Sequence, residues 1–171
     1  MRKFYDFIEN IAVAVLVLTI AILFFCRIIV VDGESMRNTL HHQNKIIISN
    51  FMYTPEKGDI VVTDSNNGYR KPLIKRVIAT GGDTIKIDYE NGEVYLNGNL
   101  LNEEYIKEPM NTMPVDTLEI TVPQGYLFVM GDNRNNSQDS RNEAIGVINE
   151  KDILGKAVFR ISPFSELGKV K

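Results

Sequence analysis

The chain has 171 residues, which is enough for one domain with its own core, and 44% of them are apolar and 24% charged. Its formal net charge is -3 and its basic residues form no block, so the composition does not indicate a nucleic-acid partner. A single cysteine excludes an intrachain disulfide.

A long apolar run begins at Ile11 and continues to Val31, interrupted only by Thr19 and Arg27. As a helix, a segment of this length would measure about 31 Å, which matches a bilayer core of about 30 Å. We therefore predict a transmembrane anchor over residues 11–31. A cleavable signal peptide is the rival interpretation, but no small-x-small cleavage site follows the run.

The charges before the run set the expected orientation. Arg2 and Lys3 are the only basic residues there, and the positive-inside rule counts basic residues. We expect residues 1–10 to be a short cytoplasmic N-terminus and residues 32–171 to form an extracytoplasmic catalytic domain. The expected location is the cell membrane, with a single pass.

A polar, turn-prone link, Asp32-Gly33-Glu34-Ser35, follows the run. Gly33 leaves the hydroxyl and the backbone N–H of Ser35 able to face a substrate. Four extended residues reach only about 14 Å, so Ser35 is expected close to the membrane surface. The same residues can also cap the N-terminus of a helix that begins near Met36, and the link alone does not decide between the two interpretations.

An apolar strand pattern surrounds Lys75, which alternation places on one face with Leu73 and Val77. Loss of hydration lowers the pKa of a lysine from about 10.4, and a neutral amine can accept a proton from a serine hydroxyl. The alternative is a lysine whose stem is packed while its ammonium reaches water. His41 and His42 are another candidate base, although a histidine base would need a carboxylate partner.

The rest of the chain consists of short strand patterns separated by turns, including an Asn91-Gly92 hairpin signal. This pattern predicts an all-β or β-dominated fold. A polar stretch, residues 131–141, directly follows an apolar strand. Its Asp139 and Arg141 are candidates for a bidentate ion pair that would fix the loop, and a plain surface loop is the alternative.

Several blocks occur together in a recognisable order: the apolar run, Gly33-Glu34-Ser35-Met36, residues 58–62, 75–83, 131–141 and 153–156. Over nearly its whole length the chain resembles the bacterial type I signal peptidases (leader peptidases, peptidase family S26) in their short, single-anchor form. The resemblance implies a β fold of antiparallel sheets. It also implies a membrane-bound serine endopeptidase that removes signal peptides from secreted preproteins after a small-x-small motif, without metal or cofactor. The expected partners are preprotein signal peptides and the lipid bilayer, with no nucleic acid.

The resemblance also assigns roles to individual residues. Ser35 would be the nucleophile and Lys75 the general base of a Ser-Lys dyad. The backbone N–H groups of Ser35 and Gly33 would form the oxyanion hole, because Gly33 lacks the hydroxyl found in many relatives. Ser137 would orient the lysine. The residues expected to support the site are Arg76, Asp139 and Arg141.

One departure from the family pattern is Asn38, where proline is common. An alternative function therefore stays open: a catalytically silent relative that acts as an anchored assembly or binding partner, for example in pilus assembly. The sequence leaves the substrate set and the oligomeric state open.

Overall fold

The protein is described here by a computed structural model covering residues 2–111 and 117–170. Residues 1, 112–116 and 171 of the predicted N-terminus and catalytic domain lie outside the described residues. Helix α1, Arg2–Phe25, opens the chain. It contains neither glycine nor proline, and Thr19 satisfies its hydroxyl by donating to the carbonyl of Val15 over 2.8 Å.

The prediction of a helical anchor over residues 11–31 is wrong for the C-terminal end of this range. Cys26–Val30 is strand β1, which pairs antiparallel with β2, Lys45–Ser49. Three β-branched residues in a row favour a strand, and β2 supplies a partner for their backbone groups. Within the described residues no helix is both long and apolar enough to cross a bilayer, so the predicted transmembrane anchor is not confirmed.

A large antiparallel sheet forms the body of the protein, in the order β1-β2-β11-β3-β4-β9-β10, with β12 paired to β11. Its remaining strands are β3 (Ile60–Thr63), β4 (Ile74–Thr80), β9 (Tyr126–Met130), β10 (Ile148–Asn149), β11 (Ile153–Ser162) and β12 (Gly168–Lys169). Short 3-10 helices, Glu150–Asp152 and Phe164–Glu166, flank β11.

A second antiparallel sheet has four strands in the order β7-β6-β5-β8. Its strands are β5 (Thr84–Asp88), β6 (Glu93–Leu96), β7 (Asn99–Leu100) and β8 (Leu118–Thr121). Gly92, with a φ of +72°, makes the predicted hairpin turn between β5 and β6. The two sheets confirm the predicted β-dominated fold.

The register of β4 determines where the polar residues meet. β4 lies between β3 and β9, and Arg76 pairs with Met130, the last residue of β9. The chain that leaves β9 at Gly131 therefore starts beside Lys75 and Arg76. On the other side, Met36 and Leu40 are buried with Val31 and Ile46. Burial of each such side chain contributes about 1.5–3 kcal/mol, which fixes the turn that carries Ser35 against the sheet.

Candidate active site

Ser35 and Lys75, separated by forty residues in the sequence, meet in the structure. The Lys75 amine lies 2.7 Å from Ser35 Oγ and donates a second hydrogen bond of 3.0 Å to the carbonyl of Ile74. Only 3% of Lys75 is exposed, whereas Ser35 is partly exposed. The amine therefore faces a reachable hydroxyl while it is itself shielded from water.

Burial lowers the pKa of Lys75 to about 8. The carboxylates of Asp139 and Asp132 act in the opposite direction, and the guanidinium of Arg141 adds to the lowering. Desolvation dominates because it disfavours the ammonium form at a site with little water. Near pH 8 about half of the amine is therefore neutral and able to accept a proton.

Ser35 lies in a compact turn, residues 33–40, which we call the serine turn. Gly33 enters it with a φ of +99°, a conformation that glycine adopts without strain. Arg37 N–H donates to the Glu34 carbonyl over 3.0 Å, and Leu40 N–H donates to the Met36 carbonyl over 2.8 Å. These bonds close successive turns without forming an α-helix, so the alternative of a helix cap at Ser35 does not hold.

The polar stretch 131–141, here the polar loop, is fixed by the ion pair that the sequence suggested. Arg141 donates to both oxygens of Asp139, over 2.8 and 2.9 Å, and the N–H of Gly131 reaches the same carboxylate over 2.9 Å. Burial alone would raise the pKa of Asp139, but these donors hold that pKa below its usual value. The charged carboxylate therefore holds both ends of the loop together.

The polar loop is also attached to the serine turn. The backbone N–H of Asn133 donates to the Ser35 carbonyl over 2.9 Å, and Asn133 Nδ2 donates to the Glu34 carbonyl over 3.1 Å. Gly131 lies so close to Ser35 and Ser137 that a Cβ at this position would overlap both. The glycine is required by this close approach of two backbone segments.

Ser137 does not make the predicted contact with Lys75. Among the described residues, the Lys75 amine donates hydrogen bonds to Ser35 and Ile74, whereas Ser137 Oγ is buried with the Asp139 carboxylate as its polar neighbour. Ser137 does lie against the Gly131 Cα, at the base of the polar loop. Its observed position is thus next to the dyad but not bonded to the amine.

The predicted oxyanion donor at Gly33 is already engaged. Its backbone N–H donates to His42 Nδ1 over 3.2 Å, and Asp32 Oδ1 lies 3.5 Å from the same ring nitrogen. The conformation of the serine turn thus directs this N–H at the imidazole. His42 contacts the backbone of the turn, and the hydroxyl of Ser35 is bonded to Lys75.

Arg76, the neighbour of Lys75 on β4, connects this strand to the polar loop and to Gly58. Its guanidinium makes a bidentate pair with Asp132, with both bonds at 2.8 Å, and donates to the Gly58 carbonyl over 2.7 Å. Thr39 also donates to the Asp132 carboxylate. Sequence reasoning missed Asp132 and Thr39. Asp132 directly follows the glycine that opens the polar loop, but nothing in the pattern indicates a partner 56 residues away.

A cleft of about 660 Å³ opens beside Ser35 and Lys75. Its walls include apolar side chains from several strands and, on the side of the polar loop, two amides. The apolar lining includes Ile29, Val31, Val62, Leu73, Ile74 and Leu154, and the amides are Asn136 and Gln138. Such a cleft is large enough to hold an extended peptide segment.

Comparison with known proteins gives consistent matches. The family model described as "Signal peptidase, peptidase S26" matches residues 4–162. Signal peptidase I of Bacillus amyloliquefaciens is 35% identical, over 97% of this chain and 92% of its own length. Signal peptidase IB of Staphylococcus aureus (strain Mu50) is 33% identical, over 96% and 93% of the two chains.

A solved structure is similar as well. The crystal structure of a signal peptidase I from Enterococcus faecalis V583 superposes with a TM-score of 0.51 at 27% sequence identity. The superposition covers 62% of this chain and 98% of the other. The β-sheet architecture is thus similar to that of a solved signal peptidase I.

Proposed function

The chain belongs to the signal peptidase family, peptidase S26, and from this premise we propose that it removes signal peptides from preproteins with a Ser35–Lys75 dyad. The observation that carries the proposal is the 2.7 Å contact between Ser35 Oγ and the buried amine of Lys75. A general base must be within hydrogen-bond reach of the proton it takes, and its pKa must be near the working pH. The geometry and the lowered pKa of Lys75 both support this role.

The proposed reaction has two halves. Neutral Lys75 takes the proton of Ser35 as Oγ attacks the scissile carbonyl, and the ammonium then gives that proton to the departing amine of the mature protein. This leaves an acyl-enzyme on Ser35 and a neutral lysine. The same amine next takes a proton from water, whose hydroxide attacks the ester, and returns the proton to Ser35 Oγ.

The negative oxygen of the tetrahedral intermediate needs hydrogen-bond donors. We propose the backbone N–H of Ser35 as the first donor. Gly33 is proposed as the second, which requires its N–H to leave His42 when substrate enters. An oxyanion donor contributes about 2.7–4 kcal/mol in mutational tests, more than a single exposed hydrogen bond to an imidazole.

The substrate is proposed to bind as an extended strand. β1 is the edge strand of the large sheet, so one side of its backbone can pair with a peptide. We propose that the apolar cleft wall receives the side chains at positions -1 and -3, and that it selects small ones because larger ones would overlap it. Ser137, Arg76, Asp139 and Arg141 are proposed to support the dyad through the packing of the polar loop.

Attachment to a lipid surface is part of the proposal. Most side chains of α1 from Phe4 to Ile20 are apolar and largely exposed. Phe25 packs edge-on against Phe51, with ring centroids 4.7 Å apart, and the adjacent Met52 is 89% exposed. Exposed apolar side chains in this number favour a lipid interface. In vesicle flotation we expect the chain to float and a Val13→Glu/Val17→Glu variant to remain in the aqueous fraction.

The test of the proposed function is cleavage of a panel of preproteins by the wild type and by Ser35→Ala, with cleavage sites read by mass spectrometry. We expect cleavage after small-x-small motifs by the wild type and none by Ser35→Ala. Equal cleavage by both would refute the role of Ser35. A folded wild type that binds the preproteins without cutting them would favour the alternative of a silent binding partner.

A further inference from the structure

One segment that the proposed mechanism does not use touches all three parts of the site. Residues 103–107, which we call the brace, lie between β7 and β8 of the small sheet. They contact the serine turn, strand β4 and the polar loop at once.

The serine turn is joined to the brace by Asn38. Its Nδ2 donates to the carbonyls of Tyr105 and Ile106, over 3.0 and 3.3 Å. Asn38 has a φ of +104°, which asparagine tolerates better than most residues and which a proline ring cannot adopt. Asparagine therefore supplies both the backbone conformation of the turn and its attachment to the brace.

Strand β4 is joined to the brace by a stacked ring. The guanidinium carbon of Arg76 lies 4.2 Å from the centre of the Tyr105 ring, and that of Arg134 lies 5.9 Å from it. Both distances are within the range of a cation–π interaction. Tyr105 thus contacts a cation of β4, next to Lys75, and a cation of the polar loop with the same ring.

The polar loop is joined to the brace by a buried ion pair. Arg134 donates to both carboxylate oxygens of Glu103, and Tyr105 also donates its hydroxyl to that carboxylate over 3.0 Å. The backbone N–H of Lys107 donates to the Asp132 carbonyl over 2.9 Å. The loop that carries Asp132 is therefore fixed on the brace by side-chain and backbone contacts.

We propose that Tyr105 and Asn38 are positioning residues, and that the brace holds the serine turn, the lysine strand and the polar loop in the one arrangement that keeps Ser35 against a dry Lys75. The proposal rests on the proposed function. Neither residue touches the Ser35–Lys75 contact directly, so each acts through Arg76, through the polar loop or through the backbone of the serine turn.

The test compares Tyr105→Leu with Tyr105→Phe and with Tyr95→Leu. Tyr95 is a matched control, because it also bonds a nearby carboxylate, that of Glu93, and also lies near a cation, with Lys86 5.9 Å from its ring, but it belongs to β6 of the small sheet. Preprotein cleavage gives kcat and KM. The 13Cε shift of Lys75 against pH gives the titration of its amine without any need for activity.

For Tyr105→Leu we expect kcat to fall about tenfold with KM within twofold, because a small displacement of reacting groups is costly. We also expect the Lys75 midpoint to move upward as water reaches the amine. Tyr105→Phe, which keeps the stacked ring, and Tyr95→Leu should both resemble the wild type. A folded Tyr105→Leu with unchanged kcat and unchanged Lys75 titration would overturn the proposal.

Asn38→Gly provides a second, independent variant if Tyr105→Leu does not fold. Glycine keeps the positive φ and removes both hydrogen bonds, so it loosens the attachment without adding strain. We expect kcat to fall severalfold and the Lys75 midpoint to rise, and a wild-type result for both would again overturn the proposal. If Ser35→Ala cleaves preproteins as well as the wild type, the proposed function fails, whereas the Lys75 titration still tests the brace.

Discussion

Gly131 lies so close to Ser35 that a Cβ at position 131 would be only 2.5 Å from the Ser35 carbonyl oxygen. The same Cβ would be at least as close to Ser137 Oγ, so Ser35 and Ser137 leave no room for a side chain at position 131. The backbones of the polar loop and of the serine turn are therefore in direct contact at the dyad. The identity of this one residue controls the distance between the two segments.

Gly131→Ala is expected to lower cleavage at least about a hundredfold, because the polar loop and the serine turn must move apart to admit the methyl group. Gly168→Ala is the control, since no atom lies within 4 Å of a Cβ at that position. Initial rates and thermal unfolding of both variants check this prediction. A Gly131→Ala rate close to that of the control would contradict the close approach of the polar loop to the serine turn.

The pH dependence of cleavage should report the Lys75 amine. The pKa of Lys75 is lowered to about 8, and the protonated amine cannot accept the Ser35 proton. We therefore expect kcat/KM to be low near pH 6, to rise through about pH 8 and to level off above it. A rate that stays flat from about pH 6 to 10 would exclude lysine as the base.

The same amine should lower the stability of the folded protein. Its folded pKa of about 8 is below the value of 10.5 expected in the unfolded chain. Between these pH values the unfolded state holds more protons at this amine, so the contribution of Lys75 to the free energy of unfolding rises with pH from about 8 to 10.5. Below pH 8 the destabilisation is complete, at about 3 kcal/mol.

Lys75→Met removes the unfavourable free energy of burying an amine while keeping a side chain of similar volume. We expect the variant to be more stable than the wild type by about 3 kcal/mol at pH 7, with the difference shrinking as the pH rises towards 10.5. Urea unfolding followed by far-ultraviolet circular dichroism is suitable, because the chain has no tryptophan and its tyrosine phenols ionise at about pH 10, within the pH range of the test. Lys169→Met, at an exposed position, is the control that should show no such dependence. A constant difference across the pH range would count against the buried amine.

The sequence contained enough information for the strands but not for the end of α1. Turn residues separate the later strands, so their β character was predictable. Ile28, Ile29 and Val30 continue an apolar run and suit a buried helix as well as a strand. Pairing with β2 decides between the two, and the residues of β2 begin fifteen positions later, outside the range of any local pattern.

The site was predictable to a similar degree. Ser35 and Lys75 were identified through the family resemblance, and the Asp139–Arg141 pair follows from residues two positions apart. The contact between Gly33 and His42 depends on how the serine turn folds back on itself, which spacing does not reveal. The same is true of Tyr105, whose ring meets Arg76 only because the two sheets are packed together.

The pair of Arg76 and Asp132 should be important for stability. Both side chains are almost fully buried, so Asp132→Ala removes two charge-assisted hydrogen bonds of 2.8 Å from a site with little water. We expect a loss of about 3–5 kcal/mol in the free energy of unfolding. Glu108→Ala removes an exposed ion pair with Lys107 and should lower the free energy of unfolding far less than Asp132→Ala does. Similar losses for the two variants, measured by urea unfolding, would be inconsistent with the buried pair.

The most direct test of the dyad is the cleavage rate of a preprotein by Lys75→Met at pH 9, where the wild-type amine is mostly neutral. Removal of a general base from a folded enzyme is expected to lower kcat about 10²–10⁴-fold. The structure of the site predicts a loss in this range, with the variant at least as stable as the wild type. A folded Lys75→Met protein that cleaves within a few-fold of the wild-type rate would show that another group takes the Ser35 proton.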